Sequence, residues 1–197
     1  MSTLSCLLAG PHYPRTMIAP DYFRDQQTLE SSNLRLEPLG PQHFDGSWAT
    51  LNDSESRRLA GIRIERSEEE HLDWLTSLAD AHDRADWAIL TADSGSFVGE
   101  IVLSEFEPHN EAMNLRITLS GAMFGKGYGS EATKTVVDYG MQVVGLHRIG
   151  LRVVDFNTRA QRVYSKVGFH PEGLLRDAWF WDGEWSDVVV MAIVAGH

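Results

Sequence analysis

Three glycines separated by single residues, Gly125, Gly127 and Gly129, form the densest chemical signal in this 197-residue chain. Glycines spaced this tightly let the backbone adopt positive φ and approach a ligand closely. Strand-like alternation precedes them (Leu115, Ile117, Leu119) and helical spacing follows (Ala132, Val136, Val137, Gly140, Val143, Val144), so they mark a strand-to-helix junction. The first N–H groups of such a helix have no intrahelical partner and carry about half a positive charge, which makes the junction a cradle for a phosphate or pyrophosphate. No Gly-Lys-Ser/Thr triplet closes the run, so it is not a Walker A loop. It does fit the weak G-x-G-x-x-A dinucleotide fingerprint through Gly127, Gly129 and Ala132, and the next strand ends in Asp155, where a ribose-binding acid could sit.

Other reactive side chains are sparse. Cys6 is the single cysteine, which excludes a disulfide framework and a cysteine-rich metal site and suits a reducing, cytoplasmic compartment. His109, His147 and His170 lack metal-ligand spacing, so no metal is expected. Glu100 interrupts the apolar run GEIVL, where alternation turns it outward from the core. Ala160, Val163, Tyr164 and Val167 share one helix face, making Tyr164 a core aromatic whose hydroxyl needs a partner. Trp179, Trp181 and Trp185 straddle a turn, with Trp179 and Trp181 on one face of their strand.

The elements that must hold these residues follow from pattern. The length suits one domain, and 43% hydrophobic residues suits a globular core without any apolar run of membrane-spanning length. A net charge of −11 argues against a nucleic-acid partner and favours a cationic substrate. Residues 1–31 contain Pro11, Pro14 and Pro20 and read as an arm, with Tyr13, Tyr22 and Phe23 packing on the domain or on a second subunit; residues 32–197 form the domain. A first strand at Leu34, Leu36 and Pro38 precedes a short helix at 42–51. A stronger helix at 67–81 opens on a Ser67/Glu70 capping box, with Glu68, Glu69 and Glu70 favoured by its dipole. Between these helices, 53–66 is polar and aperiodic, a segment suited to a substrate mouth. Strands at 87–92, 97–105 and 112–119 are joined by short turns and so must be antiparallel. After the glycine loop and its helix come a strand at 147–154, a helix at 157–167 and a hairpin, 174–181 and 185–194, turning on Asp182-Gly183. A dinucleotide fold needs further crossover units, and too little chain follows Asp155 to supply them.

GKGYGSEA, NTRAQRVYSKVGF and the closing RDAWFWDGEWSDVVVMAI, in this order, resemble the GNAT acyltransferases, and more narrowly their RimJ/RimL-type branch. The resemblance implies an α/β (α+β) fold: a mixed, mostly antiparallel sheet of about seven strands flanked by about four helices, with the phosphate loop between the fourth strand and the crossover helix. It implies acetyl-coenzyme A (acetyl-CoA), or another short acyl-CoA, cradled by Phe124, Gly125, Lys126, Gly127, Tyr128, Gly129 and Ser130, with Asn157 on its pantetheine arm and Leu119 among the coenzyme-binding residues. The family usually has Arg or Gln at the position of Phe124, where the main-chain donor survives; Lys126 offers a point charge nearby. Tyr164 falls where the family places the proton donor to the departing thiolate.

The amine must be neutral to attack. An α-amine with a pKa near 8 gives up about 1.4 kcal/mol at pH 7 and a lysine about 4.6 kcal/mol, so an α-amine demands less of a base. Glu100, Glu105 and Asp155 are the candidate bases, with Glu111 less suited beside a turn. The expected reaction is direct transfer to a primary amine, first a protein or peptide N-terminal α-amine. The alternatives are a small amine (polyamine, amino acid, aminoglycoside) or a catalytically silent acyl-CoA-binding module. No membrane partner is expected, and a homodimer is left open.

Overall fold

The computed structural model describes Ile18 and residues 22–196; Cys6, Pro11, Tyr13, Pro14 and Pro20 lie outside the described residues. Eight strands form one sheet: β1 (Leu29–Glu30), β2 (Leu34–Pro38), β3 (Ala85–Thr91), β4 (Phe97–Glu107), β5 (Ala112–Leu119), β6 (Arg148–Val154), β7 (His170–Trp181) and β8 (Glu184–Val194), in the order β1-β2-β3-β4-β5-β6-β8-β7. Among the described residues, five α-helices flank it: α1 (Phe44–Asn52), α2 (Ser54–Ala60), α3 (Glu68–Ser77), α4 (Tyr128–Asp138) and α5 (Thr158–Val167). The count differs from about seven strands and four helices in two places. Leu29 and Glu30, expected in the arm, pair with Leu36 and Arg35, so the glycine loop follows the fifth strand. Within the segment expected to be aperiodic, Asp53 accepts a hydrogen bond from the Ser56 N–H at 2.7 Å and starts α2, which Gly61 closes in the left-handed conformation.

Local chemistry accounts for most boundaries. Ser67 and Glu70 form the capping box of α3, with the Ser67 N–H donating to Glu70 Oε2 at 2.7 Å. Asp182 and Gly183 both have positive φ (48° and 87°), which gives the hairpin between β7 and β8 a two-residue turn that matches the strand twist. Following α4, the chain winds into a π-helical turn, Tyr139–Val144. That wider turn breaks the 3.6-residue pattern: Val144 is buried while Val143, expected on the same stripe, is 58% exposed.

The main core lies between the sheet and the α4/α5 layer, where Trp87, Ile89, Leu103, Val136, Ile149 and Phe169 are all at most 1% exposed. Burying each such side chain contributes about 1.5–3 kcal/mol. Trp87 satisfies its indole N–H on the Gln27 carbonyl at 2.9 Å. Phe23 joins this core, edge-on to Phe106, and Tyr22 packs against it. A smaller cluster of Leu39, Leu75 and Ala88 lies under α1 and α3 on the opposite face.

The feature that creates a site is the join of β5 and β6. Among the described residues they are the one parallel pair, and they stay bonded for three rungs, Ala112↔Arg148, Met113↔Ile149 and Asn114↔Gly150. Beyond that the strands part, since β6 continues alongside β8 through Val154↔Val188 while β5 continues alongside β4 to Leu119↔Gly99. The last rung is tight, because a Cβ on Gly150 would stand 2.7 Å from Asn114 Oδ1.

Candidate active site

A cleft of about 700 Å³ occupies the gap between β5 and β6 and passes through the sheet. Alternation assigns its walls to two faces. Leu115, Ile117, Leu119, Leu151 and Val153 face the α4/α5 side, together with the glycine loop and Tyr164. Asn114, Arg116, Thr118, Arg152 and Val154 face the opposite side, where Ser56, Leu59, Ala60 and Gly61 from α2 and its end, and Trp179 from β7, complete the wall.

The glycine loop has the geometry of an anion cradle. Gly127 caps α4 with φ 88°, a conformation that costs other residues steric strain. Among the described residues, the N–H groups of Gly125, Lys126, Gly127, Tyr128 and Gly129 donate to no backbone carbonyl, whereas the Ser130 N–H turns back to the Gly127 carbonyl at 3.1 Å. No atom lies within 4 Å of where a Cβ would stand on Gly125 or Gly127, so that surface is open to close approach. Phe124, Gly125, Gly127, Gly129, Ser130 and Asn157 line the cleft; Lys126 and Tyr128 do not, leaving their backbone N–H groups as their contribution. Asn157 caps α5 by accepting from the Ala160 N–H at 3.1 Å, and its amide N–H groups stay free of that bond. The donor set therefore fits a diphosphate with an amide-bearing arm. Arg159, not singled out in the sequence, stacks its guanidinium over the Phe124 ring at 4.1 Å and also lines the cleft.

Tyr164 is buried, edge-on to Phe169 at 5.9 Å, and lines the cleft. Burial, with no opposing charge or hydrogen bond, pushes its hydroxyl up to about 12. At neutral pH it is a proton donor.

The three candidate carboxylates have different placements. Among the described residues, Glu105 is the one acid in the cleft wall; its Oε2 accepts from Asn114 Nδ2 at 2.5 Å, and its own φ of 59° bends β4 there. Glu100 stands beside the cleft, opposite Thr118, which lines it. Glu100 faces α1 and α3 with its cross-strand neighbour Ala88, on the side opposite Ile101 and Leu103, as alternation requires; the register shift at Ile89/Leu90 lies before it in β4. Burial holds the Glu100 carboxyl above the usual carboxylate range, opposed by the Ser47 hydroxyl and by Arg116 and Arg66. Ser47 in turn bonds His71 Nε2 at 2.8 Å, and His71, 1% exposed among Phe44, Trp48 and Trp74, has burial pulling its pKa down. Asp155 is exposed at the end of β6 and outside the cleft wall. Its contacts there are backbone ones, from its N–H to the Asp187 carbonyl and from Gln161 to its own carbonyl.

Residues 33–170 match the acetyltransferase (GNAT) domain family. The chain belongs to that family. It is thus an acetyl-CoA-dependent N-acyltransferase that acts on an amine. It is 26% identical to the uncharacterized N-acetyltransferase YoaA of Bacillus subtilis, over 84% of this chain and 96% of that protein. It is also 30% identical to spermidine N(1)-acetyltransferase of Escherichia coli, over 57% of this chain and 60% of the relative. Among solved structures, the Vibrio cholerae spermidine N-acetyltransferase in complex with CoA and spermine superposes with a TM-score of 0.77 at 22% identity, covering 83% of this chain and 96% of the other. At that identity the likeness is one of fold.

Proposed function

We propose that this acyltransferase moves an acetyl group from acetyl-CoA to a primary amine by direct attack in a ternary complex. The observation that carries the reading is the cleft that pierces the sheet, with a diphosphate cradle on one face and an open, polar-walled half on the other. Bound acetyl-CoA supplies a thioester-activated acyl group at the splay. The chain's own residues do the rest. The unbonded N–H groups of residues 125–129 and Arg159 hold the phosphates. Asn157 orients the pantetheine amides. Tyr164 donates its proton to the departing sulfur, a hydroxyl held neutral by burial facing a leaving group with a pKa near 8.5. Glu105, directly or through a water, takes the proton from the amine, being the one carboxylate in the wall.

The amine of the first reading is an α-amine, as in RimJ/RimL-type enzymes, because it needs the least of a base that is a single Asn-bonded carboxylate. A small-amine acceptor is the second reading, favoured by the spermidine acetyltransferases among the relatives.

Calorimetric titration with acetyl-CoA, with NAD as a parallel control, tests the donor. Thiol release across an amine panel tests the acceptor. Binding of acetyl-CoA without thiol release from any amine would replace this reading with a silent acyl-CoA-binding module.

A further inference from the structure

We infer that the acceptor half of the cleft holds an anionic group of the amine substrate on Arg116 and Arg152. The inference rests on the acyl-transfer reading for the amine and on geometry of its own for the anion.

Asn114 and Gly150 form the last rung joining β5 to β6. Arg116 and Arg152 stand two residues further along each strand, hence on the same face as that rung, one on each side of the opening. Both line the cleft. Among the described residues neither makes a salt bridge or a side-chain hydrogen bond. The nearby acids do not neutralise them. Glu105 is the one acid in the wall and is engaged by Asn114. Glu100 feels Arg116, but it feels Arg66 as well, and Arg66 and Arg116 repel each other. Arg63 adds a further cation at the rim, over the Trp179 ring at 4.5 Å, and Trp179 lines the wall.

The sign of the cleft therefore opposes that of the molecule. The chain has 28 acidic and 17 basic residues, yet among the described residues the cleft wall has Arg116, Arg152 and Arg159 against Glu105 alone. Arg159 lies on the coenzyme's face, above Phe124, and leaves Arg116 and Arg152 for the acceptor. Guanidinium groups recognise carboxylate and phosphate by paired N–H donors. A polyamine would bring its second and third positive charges against two unpaired arginines. The acceptor that fits is a primary amine with a carboxylate or phosphate a few bonds from the nitrogen. The cationic substrate favoured by net charge alone does not match this local field.

The test uses the purified full chain with acetyl-CoA, reading thiol release against α-amino acids, each paired with its carboxamide, and against O-phosphoethanolamine and spermidine. The expected result is a kcat/KM about tenfold to hundredfold higher for an acid than for its carboxamide, the scale of one or two hydrogen bonds to a charged group. Preference for the amino acids names a carboxylate, and preference for O-phosphoethanolamine names a phosphate. Arg116→Gln and Arg152→Gln should each raise KM for the anionic acceptor and erase its advantage over the neutral one, with acetyl-CoA affinity unchanged. Equal or better turnover of carboxamides or spermidine overturns the inference.

A second readout separates the two readings. The N-acetylated acids and their carboxamides are titrated calorimetrically into the CoA-saturated protein. Tighter binding of the acids, lost in Arg116→Gln, upholds the anion site even if no amine is turned over. No difference between acid and carboxamide, with turnover of neutral amines intact, removes the anion site and leaves acyl transfer standing. No difference without turnover removes both.

Discussion

The guanidinium of Arg159 lies over the ring of Phe124, 4.1 Å from its centroid. A residue in the first turn of α5 thus sits beside the loop that opens α4, where the family usually places a cation or an amide in the loop itself. Stacking of this kind is worth about 0.5–1 kcal/mol at an exposed site, enough to bias the arginine toward the cradle. Arg159→Ala should weaken acetyl-CoA binding about tenfold, the scale of one charge-assisted contact, with little change in thermal stability because the side chain is exposed. Calorimetry and a melting curve read the two effects apart, and unchanged affinity would assign Arg159 to surface packing.

Gly127→Val places a β-branched residue at φ 88°. A left-handed conformation costs a non-glycine residue roughly 1–2 kcal/mol, so the melting temperature should fall by several degrees. Open space surrounds the new Cβ in the free protein, so the substitution need not unfold the loop. It should nonetheless abolish acetyl-CoA binding in the folded variant, measured below its melting temperature. Retained affinity there would show that the loop is a turn and not a cradle.

Tyr164→Phe removes one buried hydroxyl and keeps the ring against Phe169. Turnover should fall about 10²- to 10⁴-fold with acetyl-CoA affinity nearly unchanged, as for loss of a general acid. A pH signature accompanies it. Because the folded hydroxyl titrates at about 12 and the unfolded one at 10.0, its contribution to stability is complete below pH 10 and is lost as pH rises from there through 12. The variant should lack that share of the alkaline destabilisation, as seen in denaturant melts between those pH values.

Glu100 and Glu105 should separate in opposite directions. Glu100 is raised by burial, so its protonated form is the one the fold tolerates. The contribution is therefore present below the unfolded carboxyl value of about 4.3 and is lost as pH rises through the folded value. Glu100→Gln should be more stable than the parent at pH 7, and the advantage should shrink on acidification toward pH 4; an advantage constant with pH would trace it to packing. Glu105→Gln should instead lower turnover and leave stability nearly unchanged. A full rate in that variant would move the base elsewhere.

How far these positions were legible in the sequence depended on the range of the interaction involved. The capping box at Ser67 and Glu70, the Asp182-Gly183 turn and the strand at 112–119 are specified by adjacent residues, and the elements form where pattern places them. Val143 departs because the chain winds into a π-helical turn over Tyr139–Val144, which the 3.6-residue spacing does not encode. Glu100 keeps the face that alternation assigns it, opposite Ile101 and Leu103, but α1 and α3 cover that face, which spacing within the strand does not encode. Arg116 and Arg152 are ordinary alternating polar positions within their own strands, and they gain meaning when β5 and β6 part after Asn114 and Gly150. Asp155 follows β6, which ends one residue earlier at Val154, and is exposed to solvent.

The parting of β5 and β6 also gives the sheet a pair of inward-facing borders. Along residues 115–118 and 151–153, each strand is bonded to its outer neighbour and not across the gap; further along, the Leu119 carbonyl accepts from the Ser56 hydroxyl and the Val154 carbonyl from the Asn157 N–H. Such a border ordinarily invites another chain to add a strand, and so to aggregate. Here it lies in mid-sheet, bounded by the glycine loop and Tyr164 on one side and by α2 and Trp179 on the other. The protein thus keeps a seam in mid-sheet along which a slender, amide-bearing molecule can dock lengthwise, away from the sheet's outer edges.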